Sequence, residues 1–195
     1  MKLYYSPGAC SLADHIALHE AGLPFDLVKV DLKTHKLEDG RPYMEINPKG
    51  SVPALQFDDG EVLTENVAIL AYIADQKPAL LPSGALGRYR LLEMLAYIAS
   101  ELHKAYHPLF VSKSSEAEKS AARAVVESKL KFLATKLAGP YLFGPHFSAA
   151  DAYLFVMLTW AEKLNIAIPE KLAAFARQMR ERAAVKLALT HEGLA

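Results

Sequence analysis

The only cysteine of the chain, Cys10, stands at the predicted start of the first helix, directly after the turn Tyr-Tyr-Ser-Pro-Gly at 4–8. A helix start offers unpaired backbone N–H groups and the positive end of the helix dipole, and both stabilise a thiolate. The position therefore predicts a reactive thiol whose pKa lies below the free value of about 8.5. The alternative is that Cys10 is a small buried apolar side chain, because free cysteine is often buried.

Histidines supply further groups suited to chemistry near neutral pH. Two pairs, His15 with His19 and His103 with His107, are spaced four residues apart and so share one face of a helix. A pair could supply two metal ligands, but zinc sites generally need at least three, and no His-Glu-x-x-His motif is present. We therefore expect no metal site, and we expect His15 and His19 to face solvent or an interface.

The elements that position these residues change in kind once along the chain. Strands and helices alternate at first: a strand at 2–5, a helix at 10–21, a strand at 25–30, a hairpin at 53–63 and a helix at 65–76. The first strand-helix-strand unit requires parallel pairing and a right-handed crossover. The segment 78–87 carries two prolines and two glycines and cannot continue a helix. The pattern predicts an α/β domain at 1–77, a linker at 78–87 and an all-helical domain at 88–195.

The predicted helix at 88–110 is apolar on more than one face. Leu91 and Leu95 lie on one stripe, whereas Leu92, Met94 and Tyr97 lie off it. A helix that is apolar on two sides needs two partners. The second side is covered either within the chain or by a second subunit.

Further helices are predicted at 116–137, 148–164 and 170–182. The helix beginning near residue 148 opens with Ser148 and Asp151, which have the spacing of a capping box. That helix is apolar nearly all round, so it is predicted to be the central core helix of its domain. The spacing assigns Asp151 to the fold and not to catalysis.

Composition narrows the possible partners and the compartment. The 22 basic and 22 acidic side chains cancel, so no long-range field draws in nucleic acid or an anionic membrane. One cysteine cannot form an intramolecular disulfide, and the start of the chain lacks the apolar stretch of a secretory signal. The most apolar run, 152–161, is about half the length that a membrane-spanning helix requires. We expect a soluble, cytoplasmic protein.

Five short segments occur in order across nearly the whole chain. They are YSPGACSL at 5–12, NPKGSVPAL at 47–55, LTENVAI at 63–69, ELHK at 101–104 and FSAADA at 147–152. Together they resemble the glutathione transferase family, and in particular its bacterial beta class. The resemblance implies a thioredoxin-like first domain, an all-helical second domain and a homodimer with each glutathione site near the interface. It also implies addition of the glutathione thiolate to a small hydrophobic electrophile held against Leu109, Phe110 or Trp160.

The resemblance assigns the peptide-binding edge of the first domain. The bond between Val52 and Pro53 would be cis, exposing the Val52 N–H and C=O to the cysteinyl unit of glutathione as though it were an added strand. A trans Pro53 that begins a strand is the alternative. Glu65 and Asn66 would hold the γ-glutamyl group at the start of a helix, where they could also serve only as caps. Asn66 replaces the serine or glycine expected there, but its amide can still donate.

The same resemblance makes Cys10 a residue that positions the glutathione thiolate and can form a mixed disulfide with it. Residue 13 is not cysteine, so a resolving thiol must come from a second glutathione. Ser11 is a reserve hydrogen-bond donor. Ala9, beside Cys10, and Tyr5 belong to the glutathione-binding segment, where Tyr5 is expected to pack more than to react.

Three basic residues complete the implied site. His103 would face Cys10 from the helical domain and stabilise a thiolate or shuttle a proton, unless it is only a polar residue of the domain interface. Lys104 would attract a glutathione carboxylate. His35 lies in a loop where the family often places a basic residue near the glycyl carboxylate, although simple solvation is about equally expected there.

Three functions are compatible with these residues. The first is a glutathione transferase with glutathione as co-substrate and no metal. The second is a glutathione-dependent thiol-disulfide oxidoreductase or peroxidase, in which the mixed disulfide is the main event. The third is a glutathione-binding or ligand-binding protein without catalysis, because a fold alone does not establish turnover.

Overall fold

A computed structural model describes all 195 residues of the chain. Its five strands are β1 (Lys2–Tyr5), β2 (Asp26–Asp31), β3 (Lys36–Leu37), β4 (Ala54–Gln56) and β5 (Val62–Thr64). Its α-helices are α1 (Leu12–Ala21), α2 (Asn66–Gln76), α3 (Gly87–Tyr97), α4 (His107–Phe110), α5 (Glu116–Lys136), α6 (Ala149–Lys163), α7 (Glu170–Glu181) and α8 (Ala183–His191).

The strands form one sheet in the order β3-β2-β1-β4-β5, with β1 at its centre. β1 and β2 pair in parallel, as the strand-helix-strand unit predicts, and the other neighbours pair antiparallel. In the central register the buried Leu3 stands between Leu27 and Leu55. Gly22 ends α1 with a positive φ of 68°, a conformation that costs a glycine little. β3 was not predicted, because two residues are too few to show an alternating pattern.

The predicted helix at 88–110 is confirmed as a continuous helical stretch, but its hydrogen-bond pattern changes in the second half. Regular α-helix ends at Tyr97, residues 98–103 form a wider π-helical segment, and 104–106 form a tighter 3₁₀ turn before α4. Segments of this kind interrupt helices often at functional sites, because the extra residue in the turn redirects the side chains. His103 is the last residue of the π-helical segment.

The sheet domain and the helical domain share one hydrophobic core in which α1 packs against both α6 and α8. α6 is its centre, since every residue from Ala149 to Leu158 is buried. The predicted fold class, an α/β thioredoxin-like domain followed by an all-helical one, is confirmed. The boundaries at residues 77 and 88 stay predictions. No helix combines the length and the apolar character needed to cross a membrane.

His15 and His19 of α1 are covered in part by α8, and their expected exposure is wrong. We expected His15 and His19 to face solvent or an interface, but His15 is fully buried and His19 is half-buried. His15 packs edge-on against Phe25 and lies parallel to His191, the last residue of α8. The sequence could not show this, because α1 and α8 are far apart in the chain.

Candidate active site

A cleft of about 1130 Å³ separates the sheet domain from the helical domain. One wall consists of the loop after β1, the loop before β4 and the start of α2; the facing wall consists of the irregular segment after α3 and one face of α6. Most of the predicted site residues line this cleft: Ala9, Cys10, Val52, Pro53, Glu65, Asn66, His103 and Lys104. The fold therefore brings together residues from four separate segments of the sequence.

Cys10 lies two residues before α1, and its thiol donates to the Val52 carbonyl over 3.3 Å. Burial, and to a smaller extent the nearby Asp14 carboxyl, raises the pKa of this thiol to about 12. The backbone N–H groups of Cys10 and Ser11 act in the opposite direction, as the helix-start argument predicts. The predicted lowering of the pKa is wrong for this state of the protein, because desolvation outweighs the backbone donors. Cys10 rests as a thiol.

Asn66 connects the starts of α1 and α2. Its Nδ2 donates to the Cys10 carbonyl over 2.9 Å and to Asp14 Oδ2 over 2.8 Å. Both amide hydrogens are therefore used, and the predicted donation from this side chain to a substrate carboxylate is not available in this arrangement. Asn66 instead orders the backbone that carries the thiol. What it leaves for a ligand is its own backbone N–H at the first position of α2.

Asp14 is a site-supporting residue that the sequence analysis missed. Its carboxyl is fully buried, and burial raises its pKa well above the ordinary value of 3.8. One oxygen accepts from Asn66, while Oδ1 has no hydrogen-bond partner. The available signal was an acidic residue four positions after Cys10, within a helix of mostly apolar residues.

The peptide bond between Val52 and Pro53 is cis, as the family resemblance predicted. Two hydrogen bonds to the Ser51 carbonyl oxygen fix the loop before this bond. The Tyr43 hydroxyl donates to it over 2.8 Å and Asn47 Nδ2 donates to it over 2.7 Å. Tyr43 and Asn47 are both buried, so the loop is anchored to the protein interior. Val52 consequently presents its backbone to the cleft from a rigid support.

Glu65 ends the loop that leads into α2. Its φ of 76° places a non-glycine residue in the left-handed region, a conformation that costs energy and clusters at functional sites. Its carboxylate, more than half exposed, pairs with Lys49 over 2.5 Å. The free N–H groups at the start of α2 and this carboxylate thus lie together on the cleft wall.

His103 enters the cleft from the helical side among aromatic residues. Its Nδ1 lies 2.6 Å from the Tyr153 hydroxyl, and its ring meets the Trp160 indole edge-on at 4.9 Å between centroids. Burial lowers the pKa of His103 below 6.5, so the imidazole is neutral at pH 7. When the Tyr153 hydroxyl donates to Nδ1, the ring proton is on Nε2.

Trp160 ties α6 to the loop that carries the thiol, since its Nε1 donates to the Gly8 carbonyl over 2.8 Å. Trp160 and Phe110, two of the three residues expected to contact an electrophile, line the cleft, whereas Leu109 does not. Tyr153 was missed. It stands seven residues before Trp160, and that spacing on one helix face was the signal that could have found it.

Three predicted site residues are not brought to the cleft wall. Ser11 is fully buried, and its hydroxyl accepts from the Ser6 N–H over 3.2 Å, so it is turned into the loop and away from the cleft. Tyr5 is buried in the core. The His35 ring lies behind the cleft wall against Gly50, where an added Cβ would come within 3.0 Å of Cε1.

Comparisons with known proteins agree with this geometry. Models of the N-terminal and C-terminal domains of glutathione S-transferases match residues 9–76 and 116–182. The glutathione S-transferase GstA of Escherichia coli O157:H7 is 49% identical, with full coverage of both chains. A sphingomonad glutathione S-transferase solved with glutathione is 51% identical, with a TM-score of 0.94 and full coverage of both chains. The chain belongs to the glutathione S-transferase family and is an enzyme of that kind.

Its place within the family follows from another solved structure. A bacterial beta class glutathione S-transferase from Sphingomonas chungbukensis is 50% identical, covers both chains fully and superposes with a TM-score of 0.92. The beta-class resemblance of the five sequence segments is therefore confirmed. The individual roles of the cleft residues stay predictions.

Proposed function

We propose that this protein adds the glutathione thiolate to small hydrophobic electrophiles, with Cys10 as hydrogen-bond donor to the glutathione sulfur. The observation that carries the proposal is the unequal character of the two cleft walls. One wall offers backbone groups at Val52 and the start of α2, which suit a peptide, and the other offers Trp160 and Phe110, which suit an apolar molecule. Cys10 stands at the peptide wall, and His103 faces it across the cleft.

The protonation state of Cys10 supports the donor role. The thiol hydrogen of Cys10 is donated to the Val52 carbonyl oxygen in this structure. An extended peptide that binds here would hydrogen-bond to the same carbonyl. A ligand paired with Val52 would free this proton to donate to an incoming thiolate. A donor already held beside the sulfur stabilises the nucleophile without later rearrangement. A neutral His103 could accept at Nε2 the proton that glutathione loses, in the tautomer whose Nδ1–H donates to the Tyr153 hydroxyl oxygen.

Thiol-disulfide exchange is a second candidate, because the only cysteine of the chain lines the same cleft. In it the Cys10 thiolate attacks the glutathione sulfur of a mixed disulfide, and the small thiolate leaves. A second glutathione thiolate then attacks the glutathione sulfur bound to Cys10, which releases glutathione disulfide and the Cys10 thiolate. The raised pKa of Cys10 makes this the slower activity.

A free thiol persists in a reducing compartment, so we also propose a cytoplasmic location.

Two variants of Cys10 separate these activities. Cys10→Ser keeps an O–H donor, so conjugation of an activated aryl chloride should stay within several-fold of the wild-type kcat/KM. Cys10→Ala removes the donor and should lose about tenfold or more, since a single missing donor to a developing anion costs 10² to 10³ in the strongest cases. Reduction of a glutathione mixed disulfide should disappear in both variants.

Other outcomes of that experiment choose another function. Equal conjugation by all three proteins would reject Cys10 as donor. Disulfide reduction far faster than conjugation in the wild type, and lost in both variants, would favour the oxidoreductase. Binding of glutathione can be monitored by the quenching of Trp160 fluorescence. If glutathione binds but no electrophile, disulfide or peroxide is turned over, the protein is a binding protein without catalysis.

We further propose a homodimer that uses the second face of α3. Tyr97 on this face is covered within the chain by Phe132 of α5, at 5.0 Å between ring centroids. Tyr89 and Leu86 remain 64% and 58% exposed at the start of the helix, and exposed apolar side chains of this kind mark interfaces. Sedimentation should give twice the chain mass for the wild type. Tyr89→Glu should shift the protein towards monomer, whereas Leu187→Glu on α8 should not.

A further inference from the structure

Three histidines from two distant segments converge outside the cleft. His15 and His19 lie one turn apart on α1, and His191 ends α8. One ring nitrogen of each residue lies within 4.8 Å of those of the other two. The sequence spacing showed only a pair, which is too few ligands for a metal site, and the fold supplies the third imidazole.

Two ring nitrogens of this cluster, one from His15 and one from His19, are buried without a partner. His15 Nδ1 lies 2.9 Å from a carboxylate oxygen of the buried Glu192, so the ring donates its Nδ1 hydrogen to Glu192. Nε2 of His15 lies in the protein interior with no hydrogen-bond partner, and Nε2 of His19 is likewise buried and unpartnered. Buried polar atoms are nearly always paired, so two neighbouring unpartnered nitrogens are suited to bind a Lewis acid.

Glu192 gives His15 the outer support that metal-binding histidines usually have. A histidine ligand almost always donates its second N–H to a carboxylate or carbonyl, which fixes the tautomer and the ring orientation. Glu192 Oε1 takes this role for His15, while Oε2 accepts from the Gly8 N–H over 2.8 Å. The same carboxylate therefore joins the histidine cluster to the loop before Cys10.

We propose that His15, His19 and His191 form a binding site for a divalent transition-metal ion of the zinc type. Imidazole suits Zn²⁺, and three protein ligands with an open fourth position are a recognised zinc arrangement. Zn–N bonds of about 2.0–2.1 Å require the three nitrogens to approach to about 3.3 Å. His191 is exposed, so its side chain can change rotamer to approach the two histidines of α1.

The test is a calorimetric titration of Zn²⁺ into the full-length, tag-free protein after treatment with a chelator. Cys10→Ala serves as the background, because the active-site thiol is itself a possible zinc ligand. The expected result is one Zn²⁺ per chain. His19→Gln and His191→Gln should each weaken binding by at least about 10- to 100-fold, the loss known for removing even an outer-shell partner. His146→Gln, at an exposed position outside the cluster, is the matched control and should bind as the background does.

X-ray absorption of the zinc-loaded protein provides a second measurement, and three imidazole nitrogens at about 2.0–2.1 Å are expected. His191 is exposed, so its substitution leaves the fold intact, which circular dichroism checks. Equal Zn²⁺ affinity in the background, His191→Gln and His146→Gln proteins would overturn the site. Failure of the Cys10→Ala background to bind Zn²⁺ would overturn it as well. Neither result bears on glutathione conjugation, so this proposal and the proposed function fail separately.

Discussion

Alkylation of the native protein by a small haloacetamide at pH 8 should be slower than alkylation of a free cysteine by about one to two orders of magnitude. The reactive species is the thiolate, and a pKa of about 12 against the ordinary 9.0 leaves about 1000-fold less of it. The greater nucleophilicity of a more basic thiolate offsets part of this loss, by about 20- to 30-fold for a Brønsted slope of 0.4–0.5. Because Cys10 is the only cysteine, the measured rate belongs to one atom.

The pH dependence distinguishes a high pKa from simple shielding. With a raised pKa, the rate should climb about tenfold per pH unit through pH 10 without a plateau, whereas a shielded thiol of ordinary pKa should level off near 9. The urea-unfolded chain is the control and should show that ordinary profile. A plateau below pH 8 in the native protein would contradict the structure and restore the low-pKa thiolate that the helix start predicts.

The outcome for Cys10 shows where sequence reasoning was sufficient. The location of the thiol at the start of α1 depends on local signals, namely the turn before it and Gly22 after it, and the structure confirms the helix. The pKa of the thiol depends on how deeply the rest of the chain buries it, and no local pattern carries that information. The backbone donors were correctly anticipated, but burial has the larger effect.

The same distinction explains the site as a whole. Contiguous segments such as the one around Pro53 could be recognised, because a loop with a fixed backbone conformation is encoded locally. The partners of Asn66 could not, since Asp14 and the Cys10 carbonyl reach it only across the packed α1 and α2. His191 joined His15 and His19 for a similar reason, through contact between the two ends of the chain. Contacts between segments distant in sequence had to come from the structure.

The π-helical segment at 98–103 is a feature that the apolar pattern could not show. The spacing of Leu95, Ile98 and Leu102 fits an α-helix, and all three are buried, as a single stripe requires. Widening the turn keeps these residues in the core while it changes the direction in which the polar residues between them point. The hydrophobic pattern indicates only which residues are buried, so it does not distinguish a π-helical turn from an α-helical one. His103, the last residue of the segment, lines the cleft.

Replacement of Asp151 should produce the largest loss of stability among the changes considered. Its carboxylate accepts from the Leu142 N–H over 2.8 Å, the Ser148 N–H over 2.8 Å and the Ser148 hydroxyl over 2.6 Å. The residue is fully buried, so Asp151→Ala leaves three donors without water or a partner. A buried unsatisfied group costs about 1–3 kcal/mol, and the free energy of unfolding should therefore fall by at least about 3 kcal/mol. Urea unfolding at pH 7, analysed with a common slope, measures the difference.

A second capping box in the same chain provides the matched control. Ser115 and Glu118 make the same reciprocal contacts at the start of α5, but at the surface, where water replaces any donor that is lost. Glu118→Ala should therefore cost about 1 kcal/mol or less. Equal losses for Asp151→Ala and Glu118→Ala would show that burial does not amplify the box and would contradict the structural role of Asp151. Conjugation per folded molecule should be unchanged in Asp151→Ala, because this carboxylate does not line the cleft. A loss of kcat in the folded protein would instead place Asp151 in the chemistry.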